Sequence, residues 1–424
     1  MSLDFINGNA IISLEDTQGV INDLGEIIIP LSKCSIELLE NGLIKVFQNF
    51  ETFSGKNYIE NWHEAGSKGG VFTLYGHQGK KVNPTNFNFI SDFDGCFAIV
   101  NIGGSYSFTS FDYGQGFSEE INGGKYGIID NIGQNLVNVE YDSIIKVNTD
   151  IFLAKKNDMY FLMNSKGVEI VKNTFESAKL FSAGYTEINN RSLDFNFTLV
   201  DYILVSNNNK FGLLDTKGNE IIPLRFTNIF YLPGTNVFVT ENEKYGIYSS
   251  EGKEIISPQL TDIRVLFYDD LVAPEVPTLF DFYIDIDEYS DKQYSEKFWK
   301  YGILKTKTEP DIIGLKLLSD NGWCFFNTQT KNLFTHSFEN IFVMNESYLL
   351  VLENNKYGLI DFSGNTILKC NNDGIFIKND NLFRVKRDSK VGEINMQEDI
   401  ITPFKSDEDL DDRIWIARGQ DDCL

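Results

Sequence analysis

Histidine is scarce in this chain of 424 residues: His63, His77 and His336 stand far apart, and no two have the spacing of metal ligands. Serines are common, yet no Gly-x-Ser-x-Gly elbow holds one as a nucleophile. The five cysteines, Cys34, Cys96, Cys324, Cys370 and Cys423, are odd in number and scattered. Without a Cys-x-x-Cys pair they give neither a disulfide framework nor a zinc knuckle. No stretch approaches the ~18–20 apolar residues of a membrane helix. The start, Met1-Ser2-Leu3-Asp4-Phe5, has neither a basic region nor an apolar signal core. A cytoplasmic protein is expected. Bases are few as well, 37 against 61 acids, for a net charge of −24. That balance disfavours nucleic acid and anionic membrane, which need a basic surface. It suits a basic protein partner, although solubility is the plainer reading of the same number. No cofactor is expected.

What the chain has in quantity is aromatic residues, 35 Phe and 19 Tyr, with 34 Gly and an apolar content of 42%. This composition fits many twisted strands and tight turns and argues against disorder. The organising stretch is Lys210-Phe211-Gly212-Leu213-Leu214-Asp215-Thr216-Lys217-Gly218-Asn219-Glu220-Ile221-Ile222-Pro223. Its close copies are Lys125-Tyr126-Gly127, Lys244-Tyr245-Gly246, Lys300-Tyr301-Gly302 and Lys356-Tyr357-Gly358. With the aromatic as phase mark, units begin at Gln18, Phe72, Tyr126, Tyr160, Phe211, Tyr245, Tyr301, Trp323, Tyr357 and Val391. Four of the nine steps equal 34 residues, which sets the basic length; four longer ones carry insertions of 17 to 22 residues.

Other columns keep the same phase. Four positions after the mark come Asn22, Asp130, Asn164, Asp215, Asn327, Asp361 and Asn395; seven after it come Gly25, Gly79, Gly133, Gly167, Gly218, Gly252 and Gly364. An Asp or Asn that accepts from its own backbone, followed by a left-handed Gly, closes a short hairpin loop. These carboxylates are therefore read as turn formers. Four of only nine prolines, Pro30, Pro84, Pro223 and Pro403, share offset twelve, and each should end a strand or lie at an edge. An aromatic follows at fifteen (Phe87, Tyr141, Phe175, Phe226, Phe338) and an isoleucine at eighteen. Polar turns such as Asn207-Asn208-Asn209 and Asn354-Asn355 make a second hairpin before the next mark. Each unit thus holds about four strands; in the third they fall near 126–130, 134–138, 142–147 and 151–156.

Residues 1–17 read as an N-terminal strand, 18–405 as about ten repeats, and 406–424 as an acidic end with a closing strand at Ile414-Trp415-Ile416. The Gly-rich pieces Gly66-Ser67-Lys68-Gly69-Gly70 and Gly103-Gly104-Ser105 lack the Gly-Lys-Ser/Thr ending and the helix of a phosphate loop. The most unusual insertion, residues 262–300, mixes acids with aromatics. Its Asp285, Asp287, Glu288 and Tyr289 are the candidate partner-binding residues. The run Asp285–Asp291 lacks the Gly and the final Glu of a calcium loop.

The unit aromatic-Gly-hydrophobic-hydrophobic-Asp-x-x-Gly-x-hydrophobic-hydrophobic-x-Pro-x-aromatic resembles the WG repeat family of bacterial proteins. Here Tyr or Phe stands at the Trp position, as at Tyr126-Gly127 and Phe211-Gly212, whereas Trp323 keeps the Trp but is followed by Cys324. The resemblance implies an interaction module and brings no catalytic residues. About forty short antiparallel strands cannot form one open sheet. An all-β array follows, β-propeller-like or superhelical, with an open β-hairpin solenoid as the alternative. Functionally the expectation is a non-enzymatic scaffold that binds another protein, of the immunity or inhibitor type if the partner is basic. The alternative is a carbohydrate-binding or carbohydrate-active propeller, which would need exposed aromatics beside carboxylates in a cleft.

Overall fold

A computed structural model describes residues 4–57, 62–111, 116–181, 201–232, 235–267, 284–285, 312–345, 347–379 and 381–406. It is all β, with 34 strands in eight antiparallel sheets and no helix among the described residues. None of these residues therefore lies in a helix long and apolar enough to cross a membrane. The chain divides into two compact units, residues 1–208 with 213–220, and residues 209–212 with 221–424.

The sheet Asn340–Val343, Tyr348–Glu353, Lys356–Asp361, Thr366–Asn372, in that order, shows the plan. Its first strand carries the offset-eighteen isoleucine of the preceding unit, Ile341, its third the aromatic mark, and its fourth is an edge. The sheets are half a unit out of phase with the sequence repeat. Residues 126–130 and, from Asn135 on, 134–138 do lie in neighbouring strands, Gly116–Asp130 and Asn135–Tyr141. The next two predicted strands, Ser143–Lys146 and Ile151–Lys156, belong to the following sheet. The reason is loop length. Both turn columns close hairpins and keep their strands in one sheet, whereas the fourth strand reaches the next first strand through one residue. Lys33, Asp142, Thr227, Thr261 and Asp373 are those links. One residue cannot reverse the chain into a hairpin, so the chain steps to a new sheet. Eight marks sit in such third strands and Gln18 in the middle strand of the three-stranded sheet Asn9–Leu14, Thr17–Asn22, Ile27–Ser32; the tenth mark, Tyr301, lies outside the described residues, and Asp262–Phe267 pairs directly with Ile312–Ser319 across that interval.

Each column has its structural cause. Asp361 Oδ1 accepts from the amides of Ser363 and Asn365, both at 2.8 Å, and Asp215 and Asn395 repeat the pair. Gly218 and Gly364 close these loops at φ of 86° and 89°. The mark and the offset-fifteen residue face each other across the last two strands, as Tyr126 with Tyr141 and Tyr245 with Leu260, or in the bridges Phe72–Phe87, Tyr160–Phe175 and Trp323–Phe338. Pro30, Pro223 and Pro403 lie inside edge strands, where a missing N–H costs no ladder bond. Every offset-eighteen isoleucine is buried.

The glycine after the mark answers a close approach. A Cβ on Gly127 would stand 2.7 Å from the Val137 carbonyl oxygen, and one on Gly358 2.8 Å from that of Leu368. The edge strand shifts register here and crosses over the glycine. In two units the lysine before the mark has a partner in the residue linking the sheets. Lys125 pairs with Asp142, and Lys356 with Asp373 at 2.5 Å. Asp142 also accepts from the amide of Asn157, and Asp373 from that of Asp388, in the next second-to-third-strand turn. Glu176 and Glu339 do the same for Asn208 and Asn354.

The first two long steps of the repeat are not loops. They are hairpins, Ile44–Asn57 with Trp62–Tyr75 and Phe97–Phe111 with Gly116–Asp130, extending the same second and third strands. The hairpins pair with each other between Glu64–Lys68 and Ser107–Phe111, fusing two sheets of the first unit. A row of left-handed residues crosses the four strands: Asn49, Gly69 with Gly70, Gly103, and Gly123 with Gly124. The Gly-rich pieces are thus the bend between the repeat core and a four-stranded extension.

Candidate functional site

The bend opens a cleft of about 610 Å³ in the first unit, between the extension, the Ser91–Asp94 segment and the neighbouring strands. Strand alternation sets its wall. Residues opposite one another share a face, so Ser67, Phe108 and Glu119 lie in one row, with Tyr106, Ser110 and Phe117 on the same side. The left-handed row reverses the alternation, which lets Phe47 and Phe72 continue the lining below it.

The floor is aromatic. Phe47 stacks on Phe50 at 4.6 Å and on Phe72 at 4.4 Å, and Tyr106 meets Phe47 and Phe72 edge-on at 5.4 and 5.3 Å. Higher on the wall Phe108 stacks on Phe117 at 6.2 Å, and Phe117 remains 65% exposed. The Tyr106 hydroxyl donates to Glu119 Oε1 at 2.6 Å. Burial, then this carboxylate, pushes the phenol well above its ordinary pKa, so it stays a donor and fixes Glu119 over the rings.

Charge sits on the opposite side. Lys45 pairs with Glu37 at 2.5 Å and approaches Asp92 at 3.8 Å; Lys146 pairs with Asp94 and lies 5.7 Å from the Phe97 ring centroid. Burial pushes the Lys146 ammonium down from its usual pKa. The lining therefore holds four carboxylates, Glu37, Asp92, Asp94 and Glu119, against two lysines.

Of the candidate residues singled out from the sequence, Asp285 alone is described, and it does not line the cleft. Asp285 closes a two-residue strand, Ile284–Asp285, against Phe230 and Tyr231. Asp287, Glu288 and Tyr289 lie outside the described residues, as does the closing strand expected at Ile414-Trp415-Ile416. His63 contacts Ser54 Oγ at 3.2 Å, His77 contacts Asn9, and His336 contacts Glu353 at 3.2 Å, three separate settings. Among the described residues no three His, Cys, Asp or Glu side chains gather as metal ligands. Cys34, Cys96, Cys324 and Cys370 are free thiols, and burial pushes Cys370 up to about 11, an inert thiol. Sequence reading missed the cleft, whose one signal was the pair of equal 54-residue steps bounded by Gly-rich pieces.

Residues 211–233 match the family model described as the WG containing repeat, so the chain carries that repeat at its fifth unit. No curated protein matches the chain. Among solved structures it is similar to Hsv2p of Kluyveromyces lactis, at 9% identity and a TM-score of 0.20 over 84% of this chain and 90% of that one. The Hsv2 of Kluyveromyces marxianus gives 9% and 0.20 over 74% and 93%. A TM-score of 0.20 transfers neither an arrangement nor an activity.

Proposed function

We propose that this chain of WG-type repeats is a non-enzymatic scaffold that binds another protein through the cleft of its first unit. The observation that carries the reading is the pair of long hairpins. The chain lengthens two successive strand pairs, joins them into one sheet and bends them at a row of left-handed residues. The result presents Phe117 to solvent above an aromatic floor. Rigid repeats with a few enlarged connections commonly bind through those connections. A second reading has its own support: Phe108, Phe117 and Glu119 supply the aromatics beside a carboxylate that a carbohydrate site requires. The scaffold reading ranks first because the lining carries an excess of negative charge that a neutral sugar leaves uncompensated.

The test compares the intact protein with Phe108→Ala/Phe117→Ala in affinity capture from a bacterial lysate, alongside a chain with residues 269–299 replaced by a short linker. Under this reading the double variant loses the dominant captured protein and the linker variant retains it. Capture that survives the double substitution removes the cleft as the binding surface.

A further inference from the structure

We propose that the cleft receives an arginine side chain of a basic partner, its guanidinium lying against the Phe108–Phe117 wall and forking to Glu119. This rests on the scaffold reading and states what that scaffold recognises. Three observations on the lining converge. The first is charge: four carboxylates face two lysines, and both lysines are already engaged with Glu37, Asp92 and Asp94. A net negative cleft with apolar walls concentrates its field, attracts a cation and repels phosphate or carboxylate ligands. The second is the rings. The faces of Phe and Tyr attract a cation placed within ~6 Å, and a planar guanidinium both stacks on a ring and hydrogen-bonds in its own plane. The third is that the acceptor is positioned beforehand: Glu119 is held by the Tyr106 hydroxyl at 2.6 Å, on the same sheet face as Phe108 and Phe117.

The cleft contains a precedent for this chemistry. On its far side Lys146 already combines an ion pair with Asp94 and a ring, Phe97, 5.7 Å away. The volume of about 610 Å³ falls within the ~300–1,000 Å³ of ligand sites and leaves room for a side chain with its flanking backbone. A neutral oligosaccharide would stack on the same rings but would gain nothing from the charge, and that difference separates the two ligand classes.

The experiment is calorimetric titration of the full chain with acetyl-Gly-Arg-Gly-Arg-Gly-amide and with its glutamine counterpart, at low and high salt. Glu119→Gln and Phe117→Ala are the cleft variants. Glu51→Gln is the control: it removes an exposed acid from the opposite face of the extension, where Glu51 pairs with Lys68. The arginine peptide is expected to bind about tenfold or more tightly than the glutamine one, and to weaken with salt. Each cleft variant should lose about three- to tenfold, and Glu51→Gln nothing. Phe117 is exposed and Glu119→Gln is isosteric, so neither change endangers folding. Equal affinity for the two peptides, binding of neither, or a loss with Glu51→Gln as large as with Glu119→Gln overturns the inference. So does a neutral oligosaccharide bound in a Phe117-dependent way without preference for arginine. Those results leave the scaffold reading standing if Phe108→Ala/Phe117→Ala still abolishes capture; capture that persists removes the cleft from that reading as well.

Discussion

The same connection, from the second strand of a sheet to the third, is built in two ways in this protein. In three of the later sheets it is a two-residue turn with both residues left-handed: Asn208-Asn209, Asn354-Asn355 and Asp388-Ser389 have φ between 47° and 62°. In residues 44–130 it is a hairpin with arms of 14 or 15 residues. The register below the insertion is unchanged, with Phe47 opposite Phe72 just as Leu352 stands opposite Tyr357. Lengthening both arms equally leaves pairing untouched, because register is set by the sum of partner positions and not by the distance to the turn. A repeat protein can therefore add a binding surface at this turn without disturbing its core. The short turns, by contrast, are integrated into the scaffold by the acid that caps each one, as Glu339 does for Asn354.

The sharpest contrast is expected between two glycines. Gly358→Val in the repeat core forces a side chain onto the Leu368 carbonyl and Cys370 Sγ and should cost about 3 kcal/mol or more in urea unfolding. Gly123→Val at the bend has nothing within 4 Å and pays for its left-handed backbone alone, φ 77°, about 1–2 kcal/mol. Equal costs would mean that the bend is as closely packed as the core. A smaller effect is expected at the short turn. Asn354→Ala loses a residue tolerant of φ 52° and should cost about 1 kcal/mol, with Asn354→Gly close to neutral.

The last contrast concerns lysines, and per pH unit its effect is no larger than that of the turn. Lys146 in the cleft has a carboxylate partner, whereas Lys316 is 3% exposed, accepted by Asn340 and set 4.3 Å from the Trp323 ring centroid. Burial, with Arg264 nearby and Asp262 opposing only in part, brings its pKa down to about 7. The folded state then resists a proton that the unfolded chain accepts up to its ordinary pKa near 10.5. The cost is complete below pH 7 and is relieved as pH rises above it, so stability should climb by up to ~1 kcal/mol per unit between pH 7 and 9. Lys316→Met should flatten that climb in pH-dependent denaturation. A climb that survives the substitution assigns it to another group.

Much of the fold was legible because the repeat columns state local chemistry. An Asn or Asp three residues before a Gly says turn in any context, and an isoleucine at offset eighteen says core; both hold in the sheets observed. The boundary of a sheet was not legible, since a periodic sequence has no origin and only the single-residue links at Asp142 and Asp373 decide which strands stay together. The long hairpins were hidden by their own glycines, which interrupt strand alternation where the backbone turns left-handed. The cleft could not be read from any stretch, because Lys45, Phe72, Glu119 and Lys146 are distant in sequence and meet only through pairing. The glycine after most marks was visible, but its reason was not. That reason is the neighbouring carbonyl, which a linear pattern does not contain.

The single-residue links carry a consequence for how such a chain can grow or be cut. A segment duplicated from one aromatic mark to the next delivers half of one sheet and half of the following one. Neither half completes itself, yet each supplies what an adjoining copy lacks. Copies laid end to end interlock as links in a chain, and every internal joint is spliced by hydrogen bonds to both neighbours. A fragment intended to stand alone should therefore be cut at Lys33, Asp142, Thr227, Thr261 or Asp373, where the backbone passes between sheets. A cut at the motif that gives the repeat its visible period would sever a sheet through its middle.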